Sequence, residues 1–314
     1  MKKKLLAAAL ALLPAVAPAR TPATNRPAVS QAAPVANTQT QGEPHPAIWL
    51  LSDGDTRIYL FGSVHLLNPA LRWRSAAFNR IAREAQELVL EASDRELAER
   101  GPNPLVLMRM NKSVPILQRV SPGRRDGLAR MLREMQVPEG LFDRIETWGA
   151  AMLLGAAQMA RHSGGSSGAL AADPASGVEA VLIREFHSSG RPISGAESGT
   201  ALIAGFRGMP LNVQQALLDE AVDAYLGSAG DWELDEAGWA RGNLDIMAAA
   251  IEALPPGLHD LLITRRNRGF ADWLAHRLER PGTILFAIGA GHLAGRVSVQ
   301  SMLESRGLHV QRIY

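Results

Sequence analysis

The chain has 314 residues, 46% of them hydrophobic, with 33 Lys and Arg against 31 Asp and Glu for a formal charge of +2, and it has no cysteine. This near balance gives no case for nucleic-acid binding. The absence of thiols excludes disulfides, thiolate metal ligands and a cysteine-linked lipid anchor, so stability has to come from the core alone.

Residues 1–19, MKKKLLAAALALLPAVAPA, read as an export signal. Lys2, Lys3 and Lys4 form the positive start, Leu5 to Val16 the apolar stretch, and Ala17-Pro18-Ala19 the small-residue cleavage site. A transmembrane helix needs ~20 apolar residues, more than this stretch or any later one supplies. Losing the three lysines takes the formal charge from +2 to −1. The mature chain is thus expected in the periplasm or outside the cell. Residues 20–46 are rich in Pro, Ala, Thr, Gln and Asn and read as a disordered tether. Residues 47–314 then form one large domain, or a domain with an insertion.

That domain opens with AIWLL and TRIYLFG on either side of Asp53-Gly54, a hairpin pattern. A helix follows over 71–86, with Ala76, Ala77, Ile81 and Ala85 at helical spacing, and then a short strand, ELVLEAS. The usual crossover puts Glu91, at the end of that strand, beside His65. Residues 94–162 read as helical, with breaks at Pro115, Pro122 and Pro138. SGGSSG at 163–168 is a loop. Helix resumes at VEAVLIREFHSSG, RPISGAES is a short strand ending near Glu197, and residues 200–280 are again helical, punctuated at 208–210, Gly227, Gly230 and 254–257. TILFAIGAGH is a buried strand, followed by a helix through Glu304 and a last strand in LHVQRIY. The fold class is therefore α/β, a mixed central sheet from the N- and C-terminal parts around a large helical middle.

Two strands end alike. RIYLFGSVH and TILFAIGAGH each run into Gly-x-x-His, so His65 and His292 arrive at one sheet edge if the strands are neighbours. Two imidazoles and the Glu91 carboxylate suffice for a divalent ion with an open position for water. Donors of nitrogen and oxygen suit Mn, Co or Zn alike. The other histidines, 45, 162, 187, 259, 276 and 309, read as ordinary surface or hydrogen-bonded residues. Gly164 to Gly168 matches the G-x-S-x-G nucleophile elbow, but a helical stretch rather than a strand precedes it. No H-E-x-x-H helix, P-loop or dinucleotide fingerprint is present.

The ordered set YLFGSVH, ELVLEAS, DPASGVEAVLIREFHSSGRPISGAES, LLITRRNRGFADWL and FAIGAGHLAGRVSVQSMLESRGLHVQRI resembles the TraB/GumN family, related to the Tiki proteases and the erythromycin-esterase and ChaN-like group. The resemblance runs from about Ala47 to Tyr314. It implies an α/β fold and, from the Tiki branch, divalent-metal-dependent peptidase activity. The site residues it implies are His65, Glu91, Arg266, Asn267 and His292, with Glu179 and Glu197 matching further glutamates. One departure is Trp239-Ala-Arg-Gly242-Asn243, where the family has Trp-x-x-Gly-Asp. Arg266 with Asn267 is expected to steady developing charge. Glu179 also fits the first turn of a helix, and Glu197 a supporting carboxylate or alternative base. The expected substrate is a peptide or small envelope component. A metal-free esterase-like reaction with His65 as base, and a non-catalytic binder, are the alternatives.

Overall fold

In the computed structural model, described for residues 43–65, 67–68, 71–92, 104–162, 177–227 and 236–314, six strands form one mixed sheet. Strands β1 (Ile48–Ser52) and β2 (Thr56–Ser63) form the expected hairpin. Asp53 Oδ1 fixes its turn by accepting from Asp55 N at 3.2 Å and Thr56 N at 2.9 Å, an aspartate side chain mimicking a backbone turn. Helix α1 (Ala76–Glu84) is capped by Ser75 and leads to β3 (Glu87–Ala92).

The helical middle follows, with α2 (Arg125–Glu134), α3 (Thr147–His162) and α4 (Val178–Ser188). Residues 108–124 depart from the helical expectation: they run as turns with two single 3-10 turns. Pro115 and Pro122 each stand at the opening of one, where a missing N–H and fixed φ end any longer helix. Strand β4 (Ile193–Glu197) then interrupts the helices as expected, before α5 (Gly199–Arg207), α6 (Leu211–Tyr225) and α7 (Asp245–Glu252). Residues 256–259, a π turn at Asp260–Thr264 and α8 (Arg265–Arg277) form one continuous helical run. Strand β5 (Gly282–Gly289), a 3-10 turn at Ala290–Leu293, α9 (Val299–Glu304) and β6 (Val310–Arg312) complete the chain. The signal segment and the 163–168 loop, with its G-x-S-x-G match, lie outside the described residues. So does the tether up to Gln41 and Gly42. Its last residues pack onto the domain: Pro44 and Pro46 are buried, and His45 N donates to Ala240 O at 3.0 Å.

The strand order is β4-β3-β5-β2-β1-β6. Strands β4, β3, β5 and β2 are mutually parallel, and β1 runs antiparallel to both β2 and β6. One expectation is corrected here. β3 does not lie beside β2, because β5, from the far end of the chain, inserts between them. Buried on both faces, β5 needs the continuous apolar run Ile284 to Ile288 rather than an alternating one.

Ile58, Leu60, Val89, Ile284, Phe286 and Ile288 pack under α8 and α9, through Phe270, Leu274, Val299 and Leu303. Phe61, Leu88, Leu90, Leu285 and Ala287 meet α1 and α4 on the opposite face, through Phe78, Ile81, Leu182 and Phe186. The helical middle has its own core around Trp148, Phe206, Leu218 and Ile263. Among the described residues no helix is long and apolar enough to cross a membrane.

Candidate functional site

Four parallel strands end at one edge, and each carries a polar side chain there. Register pairs Ser63 with Gly289 and Ala92 with Glu197, so the four tips are level. β2 continues into His65 and β5 into His292, β3 carries Glu91 as its last residue but one, and β4 ends with Glu197. Gly62 makes the approach of the first two possible, since a Cβ there would meet Ala290 Cα at 3.0 Å. Trp239 Nε1 holds the same glycine from outside, donating to Gly62 O at 2.8 Å. Asn243, where the family pattern has Asp, lies two residues before α7, and its Oδ1 accepts from Asp245 N, the first residue of that helix, at 2.8 Å. Either side chain serves at such a position.

Around His292 the network is buried except at Glu197, whose side chain is 19% exposed. Glu91 Oε1 accepts from Gly289 N at 2.5 Å and stands 3.6 Å from His292 Nε2. Arg266 bridges two carboxylates. Its Nη2 donates to Glu91 Oε2 and to Glu197 Oε1, and its Nε reaches both Glu197 oxygens at 3.0 Å. The π turn just before α8 adds a residue to the winding, which sets the phase that turns Arg266 and Asn267 inward. Asn267 Nδ2 donates to Val297 O at 2.7 Å and to His292 O at 3.4 Å, which orients its Oδ1 toward His292 Nδ1 at 2.5 Å. With that oxygen an acceptor, the proton sits on Nδ1 and the lone pair on Nε2. Phe270 packs edge-on against the ring at 5.1 Å.

The His65 cluster is built separately. Nδ1 stands 2.9 Å from Glu179 Oε1, an ion-pair approach off the straight hydrogen-bond line, and Ser63 Oγ donates to the same Oε1 at 2.5 Å. Glu179 lies in the first turn of α4, which docks on β2 through Val178 N to Val64 O at 3.0 Å. At this edge, among the described residues, His65 Nδ1 and Nε2, His292 Nε2 and Glu179 Oε2 are buried without a hydrogen-bond partner.

The two imidazoles are driven apart electrically. Burial lowers the pKa of His65, but the charges of Glu179 and Glu91 outweigh it and leave the value raised. Burial, then the positive charges of Arg266 and His65, push His292 well below the ordinary value, so it is neutral. Burial raises Glu91, with Arg266 and His65 pulling back. Glu179 is also raised by burial, yet ends lower because of His65 and the Ser63 hydroxyl. Arg266 stays charged: burial opposes it and Glu91 with Glu197 restore it.

All seven residues expected from the sequence thus lie at this edge, in two groups. Glu91, Glu197, Arg266, Asn267 and His292 form one bonded network, and His65 with Glu179 form the second, joined to it by charge. Both ends of the Asn267 amide meet protein partners, Oδ1 the His292 ring and Nδ2 the Val297 carbonyl. Glu197 is a supporting carboxylate for Arg266. Ser63, the last residue of β2 and two before His65, is not among the residues expected from the sequence. His45, His187 and His309 are exposed, while His259 and His276 bond to Thr264 Oγ1 at 3.3 Å and Asp272 O at 2.8 Å.

A divalent ion can be tested against these donors. Among the described residues no three His, Asp or Glu side chains converge as a ready-made cage. The individual atoms nonetheless suit one. Three ring nitrogens, both of His65 and Nε2 of His292, are buried without a hydrogen-bond partner, and Nδ1 of each histidine faces an oxygen, Glu179 Oε1 for His65 and Asn267 Oδ1 for His292, as the supporting group of a ligating imidazole does. The 3.6 Å between His292 Nε2 and Glu91 Oε1 is close to the ~3.4 Å between two ligands of a tetrahedral ion. Three carboxyl groups, of Glu91, Glu179 and Glu197, gather at this edge around the guanidinium of Arg266 and the ring of His65.

No curated protein and no solved structure matches the chain. The model of the TraB/PrgY/gumN family matches residues 47–312, a span that takes in the whole sheet and every residue of this edge. The chain belongs to the TraB/PrgY/gumN family.

Proposed function

We propose that the protein is an exported, metal-dependent hydrolase of the bacterial cell envelope that cleaves peptide bonds. The observation that carries the reading is the pair of bare, buried nitrogens, His65 Nε2 and His292 Nε2, brought to one sheet edge with Glu91. His65, His292 and Glu91 are the residues to hold the ion, with Mn, Co and Zn all suited to nitrogen and oxygen donors. When bound, such an ion polarises a carbonyl and lowers the pKa of water toward neutrality.

The chain's own groups do the rest. Asn267 holds His292 neutral with its lone pair on Nε2. Arg266 joins Glu91 to Glu197 through its guanidinium, and its positive charge opposes the upward push that burial gives the Glu91 carboxyl. Burial of the edge keeps bulk water from screening these charges.

Titration with Mn²⁺, Co²⁺ and Zn²⁺, paired with cleavage of a peptide library, tests the reading. Stoichiometric metal, and cleavage lost both on chelation and in His65→Ala, is the expected result. Binding of peptide without turnover, retained in that variant, replaces it with a non-catalytic binder. A second reading draws on one observation, the Glu179 carboxylate 2.9 Å from His65 Nδ1 with the ring's basicity raised. There His65 is a general base on water in an esterase-like reaction, oriented by Glu179. Activity that survives a chelator selects it.

A further inference from the structure

We infer that Ser63 and Glu179 form a brace that fixes the tautomer and direction of the His65 ring, making Ser63 a positioning residue of the site. This rests on the proposed function only for its purpose. The brace itself is a matter of geometry.

An anionic oxygen 2.9 Å from Nδ1 is incompatible with a lone pair there, so a neutral His65 carries its proton on Nδ1 and presents Nε2 bare. The carboxylate must be held still for this to work, and three contacts hold it. Ser63 Oγ, completely buried, donates to Glu179 Oε1 at 2.5 Å. Val178 N donates to Val64 O at 3.0 Å, tying the start of α4 to β2. Gly177 lies so close that a Cβ would fall 1.8 Å from His65 O, so only glycine fits. Ser63 and His65, two residues apart at the end of β2, share one carboxylate between them.

His292 is treated in the same way by different chemistry. An oxygen sets its Nδ1 too, but the oxygen is the neutral amide of Asn267, itself locked by Val297 O. The molecule thus exposes the Nε2 of both rings by two separate braces, one anionic and one neutral. A hydroxyl at position 63 is what keeps the anionic brace in register.

The test uses the full chain with ¹⁵N-labelled histidine, read by long-range ¹H–¹⁵N correlation of the ring nitrogens, with His65→Gln to assign the His65 signals. At a pH above the raised pKa of His65, where its ring is neutral, the wild type is expected to show His65 as the Nδ1–H form. Glu179→Leu is expected to move it toward the Nε2–H form, Ser63→Ala to give a mixture of the two, and Ser63→Thr, which keeps the hydroxyl, to restore the wild-type pattern. Zn²⁺ affinity by calorimetry is expected to fall 10- to 100-fold in Ser63→Ala, as for other groups that orient a ligand, and to return in Ser63→Thr. A His65 pattern unchanged in Ser63→Ala and in Glu179→Leu overturns the brace. If Glu179→Leu fails to fold, Ser63→Ala alone decides. The tautomer readout needs neither metal nor turnover, so tautomer shifts without zinc binding sink the metal reading and leave the brace standing.

Discussion

The sheet edge and the helical middle are built by one chain on opposite rules. In the middle, Trp148, Phe206, Leu218, Leu258 and Ile263 pack into a core of apolar side chains, with Trp148 and Phe206 stacked 5.2 Å apart. Charge there is sparse: Arg124 meets Asp223 at the rim, and the one buried carboxylate of α6, Asp219, accepts from Ser121. At the sheet edge Glu91, Glu179 and Arg266 are buried outright. Burying charge is a poor way to gain stability, because desolvation offsets most of the attraction. The middle shows that this sequence builds a core without it, so the edge is charged for another purpose.

Arg266 gives the largest test of that contrast. Arg266→Met strands Glu91 and Glu197 without their cation, and removing one partner of a buried ionic set costs about 3–5 kcal/mol. Chemical denaturation measures the loss. The sharper variant adds Glu91→Leu and Glu197→Leu. With all three charges gone, most of the stability is expected to return. A triple variant as unstable as the single one breaks the comparison, for the charges would then be holding the fold together.

Leu218→Ala applies the opposite probe. Leu218 is completely buried in the middle core, and truncating such a leucine costs about 2–5 kcal/mol. Zn²⁺ affinity is expected to stay at the wild-type value in the folded fraction. A matching loss of affinity would make the middle part of the site rather than its support.

Smaller again is Asn267→Leu. The carbonyl of Val297 and Nδ1 of His292 lose their partners, and an orphaned buried polar group costs roughly 1–3 kcal/mol. Stability and the His292 ring signals are expected to change together, because the same amide satisfies Val297 O and sets the tautomer.

The two regions were also unequally legible. Strand tips announce themselves: an apolar run too short for a helix, then Gly-x-x-His, located His65 and His292, and β2 and β5 do pair in parallel. The hairpin, the β4 strand and the α/β class followed from the same local signals. The neighbour of β2 did not, because chain order favours β3 and nothing local reveals a strand arriving from more than two hundred residues away. Asn267 could be placed but not oriented, since the direction of an amide depends on Val297 and His292 across the fold. Ser63 sits in the quoted motif, yet its partner Glu179 is 116 residues on, and a lone serine at a strand end has no periodicity to mark it. In the middle, the helical spacing on either side predicts helix through residues 108–124, where Pro115 and Pro122 cut the chain into single turns.

The smallest effect is expected where the middle uses charge. Arg124 holds Asp223 with both ends of its guanidinium, Nε to Oδ1 at 2.9 Å and Nη2 to Oδ2 at 2.7 Å, but its side chain is 35% exposed and that of Asp223 23%. Water and salt screen such a pair, and exposed ion pairs contribute about 0.2–1 kcal/mol. Arg124→Ala should therefore lose less than Arg266→Met by several-fold, and the difference from wild type should shrink as salt is raised. The loss at Arg266 should persist in salt, because no ion reaches the groups it would screen. A salt-insensitive loss at Arg124 would mean that the rim is as tightly enclosed as the edge, and that burial, not position at the strand tips, distinguishes the two.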